Sequence, residues 1–318
     1  MSEVPTEIPG SYGLDKLEHR GRFVSPVRNT HRKEQYVFVG EENKETPRIL
    51  KFLPPHSARA EVIGSSVFQA LDLRAPSTFY VESEGKAAVI MEDLSLEYAA
   101  DLSYGEGGVM VDPELKKQFQ DSILAAVLIG DYDRVPWNTM ISRDYEGVAH
   151  VDFGACCGSR AQGGFNGFSD SIKVEDIRQV LADPYDLNVI SNAAYQEMLD
   201  IRGGELNILQ PERLKALAEQ VGQLGDDKID AIVDTAGWPD NSTPEGSEAN
   251  QQFLSGTIMR LERDMSHYTE PSSLNHIKTK RAIETYTKMR DEFKGDIAGY
   301  YKHALKARRD DIVQLFTQ

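Results

Sequence analysis

Three polar side chains in residues 130–154 have the types and spacing needed for metal-assisted group transfer. Asp133 precedes Asn138 by five residues, and Asn138 precedes Asp152 by fourteen. A carboxylate can orient and accept the proton of an attacking hydroxyl, whereas an amide oxygen and a second carboxylate are hard ligands that suit Mg²⁺. We therefore predict that Asp133 is the catalytic carboxylate and that Asn138 and Asp152 hold Mg²⁺ against nucleotide phosphates.

A second group of candidate residues lies upstream, in a β-rich part of the chain. Lys51 lies within an apolar run, and Glu61 follows ten residues later in a predicted helix. A strand lysine that reaches the α- and β-phosphates of ATP, held in place by a helix glutamate, would form the other half of such a site. The adenine edge is expected to contact the residues where a later apolar run turns polar: Met91, Glu92, Asp93 and Leu94.

Several of these residues also have a purely structural interpretation. Lys51 could be an edge-strand lysine with its ammonium group in solvent, and the helix dipole alone would favour Glu61 near a helix start. Asp131 is expected to brace its loop. We predict that His150 is a core histidine, and the two adjacent cysteines at 156 and 157 are expected to be small buried groups.

Short β-rich runs separated by polar turns occupy the first third of the chain. One helix interrupts them after Pro54 and Pro55, with Ser57 as its expected N-cap. The predicted strands cover residues 22–27, 36–39, 48–53, 78–81 and 87–91.

From residue 109 onward the hydrophobic period changes from that of a strand to that of a helix. One helix is predicted from Asp112 to about Gly130, because an acidic residue and a proline form a helix start there. The other expected elements are a hairpin of residues 139–142 and 148–153, a linker at 240–248, and one long helix over 275–316.

The order of the candidate residues resembles that of the protein-kinase-like superfamily. The spacing of Asp133 and Asn138 matches the kinase pattern H-R-D-x-x-x-x-N, with Asp131 at the histidine position, and Asp152 begins a D-F-G. Residues 130–134 are closer to the G-N-x-D-R of an atypical branch, the HipA-like kinases and type II phosphatidylinositol 4-kinases. The resemblance covers roughly residues 20–240.

This resemblance implies an α+β, two-lobed kinase-like fold that uses ATP and Mg²⁺. The expected domains are a flexible arm (1–20), a small β-rich N-lobe (21–94) and a larger, mainly helical C-lobe (95–318) with a helical extension from about 241. It also implies transfer of the γ-phosphoryl group to a serine or threonine hydroxyl of an unidentified protein. The sequence departs from the kinase pattern between the first two strands, where it has no G-x-G-x-x-G.

Two other functions are compatible with the same residues. A phosphoinositide or other small-molecule kinase would share the fold, and an inactive nucleotide-binding module would fit the missing glycine-rich loop. The basic stretch from Lys278 to Arg309 is expected to be a solvated helix face, with an acidic partner or an anionic lipid surface as the alternative.

Composition limits the classes of partner. The 318 residues include 51 acidic and 35 basic side chains, a formal net charge of −16, which argues against a nucleic-acid-binding protein. We find no apolar run long enough for a transmembrane segment and no signal-peptide pattern in residues 1–10. These observations, with only two cysteines in the chain, lead us to expect a cytoplasmic protein.

Overall fold

The computed structural model gives a mixed α/β protein that is rich in helices, and the part of the chain that it describes contains two small antiparallel sheets. Asp133 lies outside the residues that the structure describes. Those residues are 17–22, 33–39, 45–83, 85–101, 113–131, 138–144, 146–159, 165, 167–172, 211–268, 270 and 273–317.

The larger sheet has five antiparallel strands in the order β1-β2-β3-β5-β4. Its first strand lies earlier than predicted and includes residues from the segment expected to be a flexible arm, while residues 23–27 lie outside the described part. The other four strands occur where the sequence predicts them. Their bounds are Leu17–Arg22 (β1), Lys33–Val39 (β2), Glu45–Phe52 (β3), Thr78–Ser83 (β4) and Lys86–Glu92 (β5).

Helix α1 (Pro55–Ala70) connects β3 to β4. Pro54 is its N-cap and Pro55 its first residue, a position where the missing N–H of proline breaks no helical hydrogen bond. The prediction that Ser57 caps this helix is therefore wrong. Its hydroxyl instead lies 2.7 Å from the Ser159 hydroxyl, and α1 begins without a side-chain cap.

The single helix predicted up to Gly130 is two consecutive helices, α2 (Pro113–Asp121) and α3 (Ile123–Ile129). Gly130 ends α3 in the left-handed conformation, with a φ of 58°. A second sheet, in the order β6-β7-β8, combines one strand before α2 with two strands after α3. Its β7–β8 pair confirms the predicted hairpin, although β8 ends at residue 150. The three strands are Tyr98–Asp101 (β6), Thr139–Ser142 (β7) and Val148–His150 (β8).

From residue 211 onward the described chain is mainly helical. The single helix predicted over 275–316 is wrong, because Lys294 and Gly295, with φ values of 53° and 84°, separate two helices. The linker predicted at 240–248 is also wrong in its second half, where Thr243 caps a helix that begins at residue 244. These helices are Pro211–Gly222 (α4), Asp226–Asp234 (α5), Pro244–Met265 (α6), Leu274–Asp291 (α7) and Ile297–Thr317 (α8).

One continuous hydrophobic core joins α1 to the C-terminal helices. Buried side chains such as Phe68 of α1, Val127 of α3, Ile232 of α5 and Tyr301 of α8 belong to the same cluster. A division into two lobes near residue 94 therefore stays a prediction. Among the helices in the described part, none has the length and apolar character needed to span a membrane.

Candidate functional site

Lys51 lies in the middle of the larger sheet. Strand β3 pairs with β2 on one side and β5 on the other, and Lys51 is opposite Lys33 and Val89. The residue is only 1% exposed. The interpretation of Lys51 as a solvated edge-strand lysine is therefore wrong, because a central strand directs this ammonium group into the protein.

The Lys51 ammonium group forms ion pairs with two carboxylates from distant parts of the chain. Its Nζ donates to Glu61 Oε2 at 2.9 Å and to Asp152 Oδ1 at 2.6 Å. Glu61 is fully buried on α1, whereas the Asp152 side chain is 41% exposed. The structure thus brings together three of the residues that the sequence predicts, and leaves one carboxylate partly open to solvent.

The charge of this lysine is set by a balance between burial and its partners. Burial alone would lower the pKa of Lys51, but the two carboxylates outweigh it and raise the pKa well above the ordinary lysine value. Lys51 is therefore protonated at neutral pH. Because Glu61 also accepts the Phe153 N–H through Oε1 (3.1 Å), the same glutamate holds the lysine and the D-F-G segment.

The D-F-G backbone has an unusual conformation. Asp152 has a φ of 62°, in the left-handed region that L-residues other than glycine rarely adopt. Such strain persists only where the surroundings hold it, and it is common at functional sites. A Cβ on Gly154 would lie 3.2 Å from Glu61 Oε2, so a larger residue there would crowd the carboxylate that anchors the lysine.

The β7–β8 hairpin brings Asn138 and Asp152 to one end of the smaller sheet. Thr139 pairs with His150, and beyond this pair Val151 N–H donates to the carbonyl oxygen of Asn138 at 2.9 Å. Asn138 therefore accepts this backbone hydrogen bond, and Asp152 is the next residue after its donor. Asn138 is buried and Asp152 is half-buried.

The donor set at this end of the hairpin fits the chemistry of Mg²⁺. A carboxylate held beside a lysine and a buried amide are oxygen donors, and hard cations prefer such donors. Among the described residues there is no cluster of three or more histidine, cysteine, aspartate or glutamate side chains, the usual donor set of a metal site built from protein ligands alone.

The residues predicted to contact adenine end β5 and begin a short 3₁₀ turn, Leu94–Leu96. Glu92 and Asp93 donate their N–H groups to the carbonyl oxygens of Ser77 (3.0 Å) and Pro47 (3.3 Å). Asp93 Oδ1 also accepts the Ser95 N–H, and Met91 and Leu94 are buried. The segment is rigidly tied to the sheet, and its contact with a nucleotide stays a prediction.

The Glu92 carboxylate has a structural partner that the sequence did not reveal. Arg74 forms a two-pronged ion pair with it, at 3.1 Å and 2.8 Å. Burial alone would raise the pKa of Glu92, but the ion pair with Arg74 outweighs this effect and lowers the pKa. The Glu92 carboxylate therefore stabilises the end of β5 through Arg74 and is not available to a ligand.

Gly64 of α1 is a site residue that sequence analysis missed. A Cβ at this position would lie 2.6 Å from Phe153 Cβ and 3.0 Å from Cys156 Sγ, closer than such atoms can approach. Phe153 is fully buried and its ring packs 4.7 Å from that of Phe68. A glycine inside a predicted helix was the available signal, because an interior glycine usually has a packing reason.

A buried histidine near the start of α1 is the second feature that sequence analysis missed. His56 Nε2 lies 3.4 Å from the Cys157 carbonyl oxygen and 3.3 Å from the Tyr301 hydroxyl. Burial lowers the His56 pKa to about 4. Five aromatic rings surround the imidazole: Phe165, Trp238, Phe253, Tyr286 and Tyr301.

The remaining sequence predictions near the site concern buried groups. His150 is a core residue, with its ring 5.1 Å from that of Phe68. Cys156 and Cys157 are both buried and free, as predicted. Asp131 is fully buried and its N–H donates to the Ala126 carbonyl oxygen at 3.0 Å, so its backbone closes the end of α3.

The basic stretch from Lys278 to Arg309 is not a uniformly solvated face, as the sequence led us to expect. Arg308 is only 4% exposed and bonds to backbone carbonyls. Lys288 pairs with Asp170 at 2.8 Å, and Lys302 pairs with Asp234 at 2.7 Å. Much of the basic charge is therefore already neutralised within the protein, which weakens the case for an anionic partner here.

Comparison with known proteins gives distant structural likenesses. No protein-family model and no curated protein matches the chain. Among solved structures, the Helicobacter pylori proinflammatory kinase CtkA is 13% identical, with a TM-score of 0.47 over 94% of this chain and 96% of that one. HipA of the Shewanella oneidensis MR-1 toxin–antitoxin system is 12% identical, with a TM-score of 0.31 over 95% and 70%. At these values neither likeness assigns an activity to this chain.

Proposed function

We propose that this protein is an atypical kinase that transfers the γ-phosphoryl group of ATP to a serine or threonine hydroxyl of a protein. The observation that carries the proposal is the buried Lys51 ammonium group, which is held between Glu61 and the partly exposed Asp152. A buried cation anchored by one carboxylate and leading to a second, accessible one is the arrangement that phosphoryl transfer needs. In this proposal a small β-rich lobe, ending near residue 94, supplies the lysine.

Each residue has a defined task in the proposed reaction. Lys51 would bind a phosphate oxygen of ATP, because its charge is fixed and its position is set by Glu61. Asn138 and Asp152 would hold Mg²⁺, which when bound neutralises charge on the phosphate oxygens. Asp133, which lies outside the described residues, would orient the acceptor hydroxyl.

The transfer itself is a single displacement at phosphorus. The acceptor oxygen forms a bond to the γ-phosphorus while the bond from that phosphorus to the bridging oxygen of ADP breaks. The hydroxyl proton passes to the carboxylate of Asp133, and ADP leaves. Positioning and charge stabilisation would supply most of the rate enhancement, since phosphoryl transfer asks little covalent chemistry of the protein.

The test is incubation of the purified chain with γ-labelled ATP and Mg²⁺, first for self-labelling and then with a protein mixture or phosphoinositide vesicles. We expect label on protein, loss of all transfer in Asp152→Ala, and loss of turnover with retained nucleotide binding in Asp133→Ala. Asp144→Ala is the matched control, because Asp144 is an exposed carboxylate in the turn of the same hairpin.

Three outcomes would contradict this proposal. Unchanged ATP consumption in both Asp152→Ala and Asp133→Ala would show that these carboxylates do not serve the reaction. Label on vesicles rather than on protein would identify a lipid kinase. Nucleotide binding without any transfer by the unmodified chain would identify an inactive nucleotide-binding module.

A further inference from the structure

The segment after the D-F-G, residues 167–172, lies directly on the two last helices. A Cβ on Gly167 would lie 2.9 Å from the backbone of Arg281, so only a glycine allows the segment to approach α7 this closely. The Phe168 N–H donates to Thr285 Oγ1 at 3.2 Å, and the Tyr300 hydroxyl donates to the Phe168 carbonyl oxygen at 2.5 Å. Both backbone polar groups of Phe168 are thus held by the C-terminal helices.

The next residues of this segment are held in the same way. Lys288 of α7 and His303 of α8 both contact Asp170 Oδ2, at 2.8 Å and 3.1 Å. The Ile172 N–H donates to Asp311 Oδ2 at 2.7 Å. Helices α7 and α8 therefore act as a clamp on residues 167–172, with contacts along most of the segment.

Arg308 joins this clamp to the end of α3. Its Nη1 donates to the Ser169 carbonyl oxygen at 2.9 Å, and its guanidinium group lies 4.7 Å from the centre of the Phe168 ring. Its Nε donates to the Leu128 carbonyl oxygen at 2.8 Å, and its Nη2 donates to that of Val127. One buried side chain thus bonds three carbonyls from two separate segments.

The position of Arg308 explains why an arginine is required. The last carbonyls of a helix have no partner within the helix, and they carry the negative end of its dipole. A guanidinium group presents several N–H donors in one rigid plane, whereas a lysine ammonium group is a compact charge that cannot span all three carbonyls at once. Substitution by lysine would keep the charge but release at least one of the two segments.

The end of α3 matters because the loop with the predicted catalytic residue begins there. Gly130 and Asp131 come directly after the helix, and Asp133 lies two residues further on. The chain after Asp152 also returns to this point, because the Cys157 N–H donates to the Ile129 carbonyl oxygen at 2.8 Å and the Tyr301 hydroxyl donates to the Cys157 carbonyl oxygen. Helix α8 therefore fixes both the start of the loop that carries Asp133 and the chain after Asp152.

We infer that Arg308 is a positioning residue for phosphoryl transfer, and that helices α7 and α8 hold residues 167–172 in place through it and the neighbouring clamp contacts. The inference rests on the proposed function. The C-terminal helices, which we predicted from the sequence to be an extension, would then have a direct role in building the active site. It also implies that the segment after the D-F-G is ordered by the protein's own helices without any modification.

The experiment compares Arg308→Lys with Arg309→Lys in the full chain. Arg309 is the next residue on the same helix and bonds to the Leu224 carbonyl oxygen and to Asp226, away from the clamp. Gly167→Ala is a second perturbation, which lifts the segment from α7 without touching α3. Two measurements are made on each variant: backbone hydrogen exchange in residues 127–131 and 167–172, and kcat and KM for ATP in the self-labelling reaction.

We expect Arg308→Lys and Gly167→Ala to speed exchange in residues 167–172 about tenfold or more, and to lower kcat by about ten- to a hundredfold with little change in the KM for ATP. Arg309→Lys should leave both quantities close to those of the unmodified chain. A purely structural role for Arg308 would speed exchange in Arg308→Lys without lowering kcat relative to Arg309→Lys.

Two results would overturn the inference. If exchange in residues 167–172 is unchanged in both Arg308→Lys and Gly167→Ala, the clamp does not order the segment. If exchange speeds up while kcat stays within about twofold of that of Arg309→Lys, the segment's position does not matter for turnover. An unmodified chain that transfers no phosphate would instead overturn the proposed function, and hydrogen exchange would then still decide whether the clamp exists.

Discussion

Two groups of ion pairs in this protein use the same side-chain chemistry in opposite surroundings. Lys51, Glu61 and Asp152 meet where β3, α1 and the D-F-G converge, and the ammonium group and Glu61 are sealed from solvent. The other group is a row of partly exposed pairs between α5 and α8, in which each aspartate is at least one-third exposed. This surface row comprises Asp226–Arg309, Asp230–Lys306 and Asp234–Lys302, each at 2.7 Å.

The distances in the two groups are alike, so distance alone does not distinguish a buried ion pair from a surface one. Breaking an ion pair in the surface row costs little free energy of unfolding, because water solvates each freed charge. In the buried group, water cannot solvate a charge that has lost its partner. Each buried charge is therefore stable only while its ion pair is intact. Burial therefore marks Lys51 as a group whose position the protein has to maintain.

The largest effect is expected from Lys51→Met, which leaves the fully buried Glu61 carboxylate without its cation. We expect the free energy of unfolding at pH 7 to fall by about 3–5 kcal/mol, the usual penalty for breaking a buried pair from one side. Phosphoryl transfer should be lost as well. Equilibrium urea unfolding and the self-labelling reaction measure the two effects.

Two controls sharpen this comparison. Lys306→Met makes the same substitution in the surface row and should change the unfolding midpoint only slightly. Lys51→Met combined with Glu61→Gln removes the stranded charge while keeping an acceptor for the Phe153 N–H, so it should recover stability without recovering activity. Equal losses from Lys51→Met and Lys306→Met would show that burial does not distinguish the two groups.

The cluster of Lys51, Glu61 and Asp152 could be predicted from the sequence, whereas the residues that hold this cluster in place could not. The spacing of these three residues along the chain matches a known chemistry and is therefore readable from the sequence. The hairpin that carries Asn138 was predictable because its apolar residues alternate. Arg308 was not found, because a buried arginine and a solvated one are identical in sequence. The break at Lys294 was missed for a related reason: the apolar pattern continues through it, from Met289 to Ile297.

An intermediate effect on stability is expected when the pH is lowered, because His56 is buried in the folded protein. The folded protein keeps this buried imidazole neutral, with a pKa of about 4, whereas in the unfolded chain it takes up a proton below its ordinary value of 6.5. Its contribution is therefore constant above pH 6.5, and stability falls as the pH drops from 6.5 towards 4. Between pH 7.5 and pH 5 this one group should lower the free energy of unfolding by about 2 kcal/mol.

Substitution of the histidine isolates its share of the pH dependence. His56→Gln should reduce the loss of stability between pH 7.5 and pH 5, measured by urea unfolding at both values, even if the variant is less stable throughout. His267→Gln, at an exposed position, is the control and should leave the pH dependence of the parent unchanged. A His56 variant with the parent's full pH dependence would show that other groups carry it.

The smallest effect is expected in the surface row, where Lys302→Met removes the partner of the half-exposed Asp234. We expect the melting temperature to fall by at most about 2 °C in low salt, since exposed pairs contribute little to stability. The difference from the parent should shrink further at about 0.5 M NaCl, because salt screens charges that water already reaches. Calorimetry at both salt concentrations measures it, and a loss as large as that of Lys51→Met, or one that survives high salt, would mean that this row is held as tightly as the buried group.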